Sequence, residues 1–350
     1  MASYKMYQPT NIGQSVARTF STWTAFSTIV AVGACSAPQA EGSNDQEAQA
    51  ATETNSGLTL EIGGESTVLN RVTGGEIQNG EQSPSTYGEF RVKKHIGNVK
   101  YNDFALRLSL PLAPSAAAWI SDFFAGRAPR RSGSVVECTK NGFSTCTTRE
   151  FNDALITEVG IPACDGSSKE PAYLTLKFAP EYTRKVRPSG KSSTASAASA
   201  KAFVPSNFQF AIAGLDTSKV NKVDALTVKQ TAVTDDIGDG REYTKEPGKL
   251  EFPSLKITMS EEYAPDFSSW YKDFVIDGNN DEQKHKTGSL VFLTPTRSSV
   301  LSINFSGLGI FKISAAARKN NEDAIASATV EMYAETITAK FDGDSDAGAR

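Results

Sequence analysis

Apolar and polar residues alternate along much of this chain, at the period of two that is typical of β-strands with one buried face. The alternation is clearest in four runs, at residues 104–110, 174–178, 255–259 and 328–334. Each run places its apolar residues on one face of the strand that it predicts. The pattern therefore predicts a protein that is mainly β.

Two further stretches have the spacing of an amphipathic helix. Each begins at a proline, Pro114 or Pro265, which suits the first helical turn. Aromatic residues, including Trp119 and Trp270, then recur at intervals of three and four residues. We interpret these tryptophans as core residues. Each helix is predicted to pack on a strand-rich β-barrel or β-sandwich.

The two predicted helices belong to two copies of one longer pattern. Residues 97–119 and 248–270 share a glycine, an aromatic residue, an Ala-Pro pair and a tryptophan, at a constant shift of 151 residues. Because chance rarely preserves these residues together, the similarity indicates duplication of a folded unit. The predicted fold class is thus mainly β, with two tandem homologous domains and one flanking α-helix per domain.

The shift between the copies changes slightly along the chain, which places insertions in loops. Val72 matches Val223 at a shift of 151, the residues from Phe151 match at 154, and Leu176 matches Met332 at 156. These matches extend the similarity over most of each copy.

The two copies define the predicted domains, at residues 58–185 and 208–341. Residues 186–207, between them, are rich in serine, alanine and lysine and contain too few apolar residues to offset the entropy of ordering. We predict that this segment is a flexible linker. Residues 342–350 are predicted to be a solvated acidic tail.

Residues 1–57 have the features of an export signal followed by a disordered tether. A basic start precedes an uncharged stretch at residues 19–34, which ends in Val-Gly-Ala before Cys35. This step resembles the lipobox of bacterial lipoproteins, in which the cysteine becomes the lipidated N-terminus. The resemblance implies an exported lipoprotein, held at the outer membrane or cell surface through Cys35. A disordered N-terminal tail is the alternative.

The other cysteines are compatible with export. Cys138 and Cys146 flank Asn141-Gly142, a strong signal for a hairpin turn. Two cysteines placed symmetrically across such a turn can face each other and form a disulfide in an oxidising compartment. Reduced thiols in a cytoplasmic protein are the alternative, and Cys164 has no assigned partner.

The charge balance gives no reason to expect a nucleic-acid partner. The chain has 36 Lys and Arg against 40 Asp and Glu, a formal net charge of −4, whereas nucleic acid requires a basic face. The two histidines, His95 and His285, lie in charged stretches and are not matched between the copies. The sequence contains no cluster of His and Cys with the spacing of metal ligands. We therefore expect no enzymatic activity, cofactor or metal.

The second copy carries a longer series of glycine and apolar positions. In chain order, the series is Phe208-x-Phe210-x-Ile212-x-Gly214, Pro247-Gly248-x-Leu250-x-Phe252, the Trp270 helix, Gly288-Ser289-Leu290-Val291-Phe292, and a closing strand around Val330. In order and spacing it resembles the tail tube proteins of contractile phages and related injection systems, and the first copy does so more faintly.

This resemblance implies a structural role. Subunits of that family join edge to edge into six-fold rings, and the rings stack into a hollow tube. Sheath or baseplate-like proteins are the implied partners, and a phage-tail-like particle assembled in the cytoplasm is the implied alternative location. A typical member has one domain and no export signal. With two domains per chain, three chains would form a pseudo-six-fold ring.

The loops that follow the two helices carry opposite charges. The first has three basic residues and the second three acidic residues: Arg127, Arg130, Arg131, Asp277, Asp281 and Glu282. Such loops can fix the order of neighbours in an assembly, although solvated loops have the same composition. The competing function is a surface-exposed or periplasmic lipoprotein that binds a ligand through its duplicated β-domains. Self-assembly distinguishes the two.

Overall fold

Two sets of strands, each with one helix, follow one another in the same order along the chain. The computed structural model describes residues 57–82, 95–141, 143–186, 204–235, 244–315 and 326–342. Cys35, most of the predicted linker and all but the first residue of the predicted acidic tail lie outside the described residues. Among the described residues, no helix has the length and apolar character that crossing a membrane requires.

The first repeat contains ten strands and a helix. They are β1 (Gly57–Ile62), β2 (Glu65–Gly74), β3 (Ile77–Gln82), β4 (His95–Tyr101), β5 (Phe104–Leu108), α1 (Pro114–Phe124), β6 (Arg131–Asn141), β7 (Phe143–Ile161), β8 (Cys164–Asp165), β9 (Leu174–Ala179) and β10 (Tyr182–Val186).

The second repeat follows the same order. Its elements are β11 (Phe208–Ile212), β12 (Val220–Val223), β13 (Leu226–Asp235), β14 (Thr244–Glu251), β15 (Leu255–Ser260), α2 (Pro265–Tyr271), β16 (Lys286–Leu293), β17 (Ser299–Ala315), β18 (Ser327–Tyr333) and β19 (Thr336–Phe341). A π-helical turn, Lys272–Ile276, continues α2, and short 3₁₀ turns lie at Glu261–Tyr263 and Glu282–Lys284.

Each repeat forms a barrel-like sheet of antiparallel strands. In the first repeat the pairings run β1-β2-β5-β9-β7-β6 and return to β1, which leaves no open edge within that ring of strands. In the second repeat β11-β16-β17-β18-β15-β12 pair in the corresponding order. The predicted fold class, mainly β with one helix per repeat, is confirmed.

The apolar faces of the strands and helices fill the two barrels, as the alternation predicts. Trp119 is fully buried, and its indole Nε1 donates a hydrogen bond to the Pro129 carbonyl oxygen at 2.9 Å. The rings of Phe151 and Phe178 lie beside it, with centroids 4.7 Å from each other. Trp270 is also buried. Both tryptophans are therefore core residues.

The register of the last strands corrects one alignment. Both β7–β9 and β17–β18 have an irregularity at the same place, after Ile156 and after Ile310 respectively. Beyond it, Leu176 occupies the position of Val330, at a shift of 154 residues rather than the predicted 156. The error is a slip of two residues, which an alternation of period two cannot detect because it keeps every side chain on its face.

Candidate assembly interface

The two repeats are joined by strand pairing. The start of β13, in the second repeat, pairs antiparallel with the end of β7, in the first. Val228 lies opposite Val159, and both are fully buried. A shorter pairing, of β12 with β8, lies beside this one. A strand edge of the first barrel is thus covered by a strand of the second, and nine strands form one sheet.

A helix also crosses from one repeat to the other. α1 packs mainly against β19, the last strand of the second repeat. On β19, Ile337, Ala339 and Phe341 are buried. The second barrel is therefore covered by a helix that belongs to the first repeat.

Arg130 adds a polar connection between the repeats. Its guanidinium forms an ion pair with Glu181, and Nη2 lies 2.9 Å from Glu246 Oε1 and donates to the Lys245 carbonyl oxygen at 2.7 Å. The Lys245 backbone N–H in turn donates to Glu181 Oε1 at 3.1 Å. Because the side chain is partly exposed, these contacts orient the β13–β14 hairpin more than they stabilise it.

The other two predicted basic residues, Arg127 and Arg131, contact Asp122 of the helix in their own repeat. Arg127 Nε donates to Asp122 Oδ1 at 2.9 Å, and Arg131 Nη2 lies 3.7 Å from Asp122 Oδ2.

The three acidic residues of the second loop, Asp277, Asp281 and Glu282, are exposed. Among the described residues they form no ion pair, so the structure does not bring the two loops together within one chain. A role for these six residues in contacts between chains stays a prediction.

The pairing of β7 with β13 is called the internal junction below. Each of its two strand segments has a counterpart in the other repeat. At a shift of 154, residues 158–161 of β7 correspond to residues 312–315 of β17. At a shift of 151, residues 226–229 of β13 correspond to residues 75–78, the last two of which begin β3. Within the described parts of the chain, residues 312–315 pair only with β18, and β3 pairs only with β4. Both counterparts are unpaired strand edges.

Apolar residues are exposed at these edges. Ile77 is 53% exposed, whereas its counterpart Val228 is fully buried. Ile313 is half-buried, whereas its counterpart Val159 is fully buried, and the neighbouring Phe311 is exposed. An exposed apolar residue on an unpaired edge is unfavourable in an isolated chain and is typical of a surface that binds another strand.

A cleft of about 480 Å³ opens beside the β3 edge. Its lining includes Ile77, Glu137, Thr147, Arg149, Thr183 and Lys185. Arg149 forms an ion pair with Glu137, and its Nη1 lies 3.7 Å from Glu76 Oε1. Its guanidinium carbon lies 5.6 Å from the centroid of the Phe104 ring. The cleft thus combines charged side chains with apolar surface, to which Ile77 contributes.

Cys138 and Cys146 lie opposite each other on β6 and β7 and are joined by a disulfide in the structure. Whether the bond forms in the cell depends on the compartment, and it stays a prediction. Cys164 is buried, and its burial raises the pKa of the thiol to about 12. Its thiolate is therefore scarce at neutral pH, which makes this thiol a structural group rather than a reactive one.

The disulfide prediction can be tested with Cys138→Ser. If the bond forms, the substitution should lower the free energy of unfolding by about 2 to 3 kcal/mol, because the short loop is no longer constrained in the unfolded chain. Urea unfolding of protein isolated from its native compartment, with and without reductant, measures this loss. The variant should not respond to reductant. Equal stability of the wild type with and without reductant would contradict the prediction.

The histidines occupy dissimilar places. The His285 Nε2 lies 2.9 Å from the Tyr333 hydroxyl, and Nδ1 lies 3.7 Å from Glu335 Oε1. His95 lies on β4. Among the described residues, no group of three or more His, Cys, Asp or Glu side chains is arranged to hold a metal ion.

No family model and no curated protein matches this chain. Among solved structures, it is similar to a chain of the PVC sheath-tube complex of an extracellular contractile injection system, at 13% identity, with 43% of this chain and 99% of that chain covered and a TM-score of 0.33. It is also similar to a chain of the anti-feeding prophage baseplate, at 10% identity. That match covers 38% of this chain and 91% of the baseplate chain, with a TM-score of 0.32. A third similar structure is Hcp1 from Flavobacterium johnsoniae, at 16% identity. That match covers 38% of this chain and 94% of Hcp1, with a TM-score of 0.24. These scores are too low to carry a conclusion about function.

Proposed function

We propose that this chain is a structural protein that assembles by repeating its internal junction between copies of itself. One observation carries the proposal: the strand pairing that joins the two repeats has an unpaired counterpart at each end of the pair. Surfaces of this kind are complementary to each other and not to themselves. Such heterologous contacts generate closed rings or open filaments.

The register of the contact between chains follows from the internal one. Val228 opposite Val159 becomes Ile77 of one chain opposite Ile313 of the next. Backbone hydrogen bonds between residues 75–78 and 312–315 would supply affinity, and burial of Ile77 against Ile313 would add an apolar contact. The exposure of Ile77 and the partial exposure of Ile313 are then explained together.

We propose a ring of three chains, in which six barrels alternate between internal and intermolecular junctions. The number six comes from the resemblance to tail tube proteins, as does the stacking of rings into a hollow tube. The two kinds of junction differ in their charges. Arg130 and Glu181 lie at the internal junction, and His285 and Glu335 take the corresponding positions at the junction between chains. This difference would keep the two junctions from exchanging partners. Sheath or baseplate-like proteins are the proposed outer partners.

Native mass spectrometry of the full chain, together with negative-stain images, tests the proposal. We expect a species of three chains that appears as a ring with a central hole, and stacks of such rings at higher concentration. A stable monomer would contradict self-assembly and would favour the lipoprotein binding module. A ring of six whole chains would retain self-assembly but contradict the alternation of junctions.

A further inference from the structure

The two helices differ in how much of their surface is covered. On α1, Ala117, Ile120 and Phe124 are all buried. Their spacing of three and four residues places them on one face of the helix, beside the face that carries Trp119. α1 is therefore buried on two faces, one toward its own barrel and one toward the other repeat.

The same face of α2 is open. At a shift of 151, its residues are Ser268, Tyr271 and Val275. Ser268 is exposed, Tyr271 is half-buried and Val275 is 41% exposed. The adjacent Ile276, at the end of the π-helical turn, is more exposed still. The second helix thus presents an uncovered face where the first helix is covered.

The surface on which α1 packs indicates which kind of surface could cover the open face of α2. α1 packs against β19, which pairs with β17 so that Ala339 lies opposite Ile303. The corresponding pair in the first repeat is Lys185 opposite Arg149. Both of these residues line the open cleft beside β3. The surface of the second barrel on which α1 packs therefore has an uncovered equivalent in the first barrel.

We propose that α2 of one chain docks in this cleft of the next chain, as α1 packs on the second barrel within a chain. The occupant of the cleft is thus a second copy of this chain. The inference rests on the proposed function, because docking of α2 accompanies the pairing of residues 312–315 with residues 75–78 of the neighbour. It adds a second contact surface to that junction.

The polarity of the surfaces agrees with this assignment. The covered face of α1 is apolar, and on the second barrel Ile303, Ile337 and Ala339 are buried and apolar. The open face of α2 has serine and lysine beside tyrosine and valine, at positions 268, 272, 271 and 275. The cleft also combines charged and apolar side chains, with Glu137, Arg149 and Lys185 beside Ile77. The contact within the chain is therefore apolar, whereas the proposed contact between chains combines apolar and charged groups.

Photo-crosslinking tests the location of α2. A benzoylphenylalanine replaces Tyr271 in unlabelled chains, which are assembled together with ¹⁵N-labelled wild-type chains. Crosslinks from position 271 should reach labelled peptides that contain Ile77, residues 147–149 or residues 183–185. Crosslinks that stay within one chain, or that reach labelled peptides elsewhere, would overturn the docking.

A matched pair of substitutions tests its contribution. Val275→Lys should raise the chain concentration needed for ring formation at least about tenfold, since it places a positive charge beside Arg149 and Lys185 of the cleft. Val233→Lys is the control, because Val233 is an exposed valine on the β13–β14 hairpin, outside the proposed contact. Normal assembly of both variants, or equal impairment of both, would overturn the docking of α2 but not the proposed ring. A wild-type chain that stays monomeric would overturn the proposed function and the docking with it.

Discussion

Replacing Ile77 by Asp is expected to leave the chain folded and to abolish its assembly. In one chain Ile77 is 53% exposed, so a carboxylate there meets water, and the free energy of unfolding should change by no more than about 0.5 kcal/mol. In the proposed junction the same position is buried, as Val228 is. A carboxylate without a partner then costs several kcal/mol at each intermolecular junction.

Two measurements separate these effects. Urea unfolding of dilute protein reports the stability of the chain, and native mass spectrometry at higher concentration reports assembly. Ile77→Val is the matched control, because it keeps an apolar branched side chain on the strand, and it should assemble. Rings formed by Ile77→Asp at the wild-type concentration would show that residues 75–78 are not part of the contact.

Val228→Asp should instead destabilise the folded chain itself, because it alters the junction that exists within the chain. Val228 is fully buried opposite Val159, so the charge is expected to cost about 4 kcal/mol or more. The pairing of β13 with β7 should fail, and the second repeat should unfold at a lower urea concentration than in the wild type.

The control for this variant is Val233→Asp on the same strand. Val233 is 57% exposed, so the substitution should change stability by no more than about 0.5 kcal/mol. Urea unfolding followed by far-UV circular dichroism compares the two variants. Equal midpoints for Val228→Asp and the wild type would contradict the packing of Val228 against Val159.

The sequence predicted the strands and the helix of each repeat because their signals are local. Alternation of period two, a proline at the first helical turn and a repeated tryptophan each depend on a few neighbouring residues. The junction could not be found in this way, because Val228 and Ile77 are branched apolar residues at corresponding positions of the two copies. Only the pairing of distant strands distinguishes the buried residue from the exposed one.

One signal for the interface was present in the sequence. Residues 114–124 are uncharged except for Asp122, and apolar residues lie on more than one face of that helix. A helix of this kind is usually covered on several sides. Residues 265–276 contain three charged residues, Asp266, Lys272 and Asp273, and have Ser268 where the first helix has Ala117. Comparison of the two helices would have indicated that α1 has a second partner within the chain.

The strand pairing between β7 and β13 would also set the order of events in the proposed assembly. Because both strands belong to one polypeptide, they meet at an effective concentration on the order of 1 mM, well above that of separate chains at micromolar levels. The internal junction therefore closes first, and this step does not depend on dilution. In the proposed assembly, rings then grow from pairs of barrels that are already joined. The equilibrium yield of a ring of three chains should follow the third power of the free chain concentration, whereas a ring of six separate barrels would follow the sixth power.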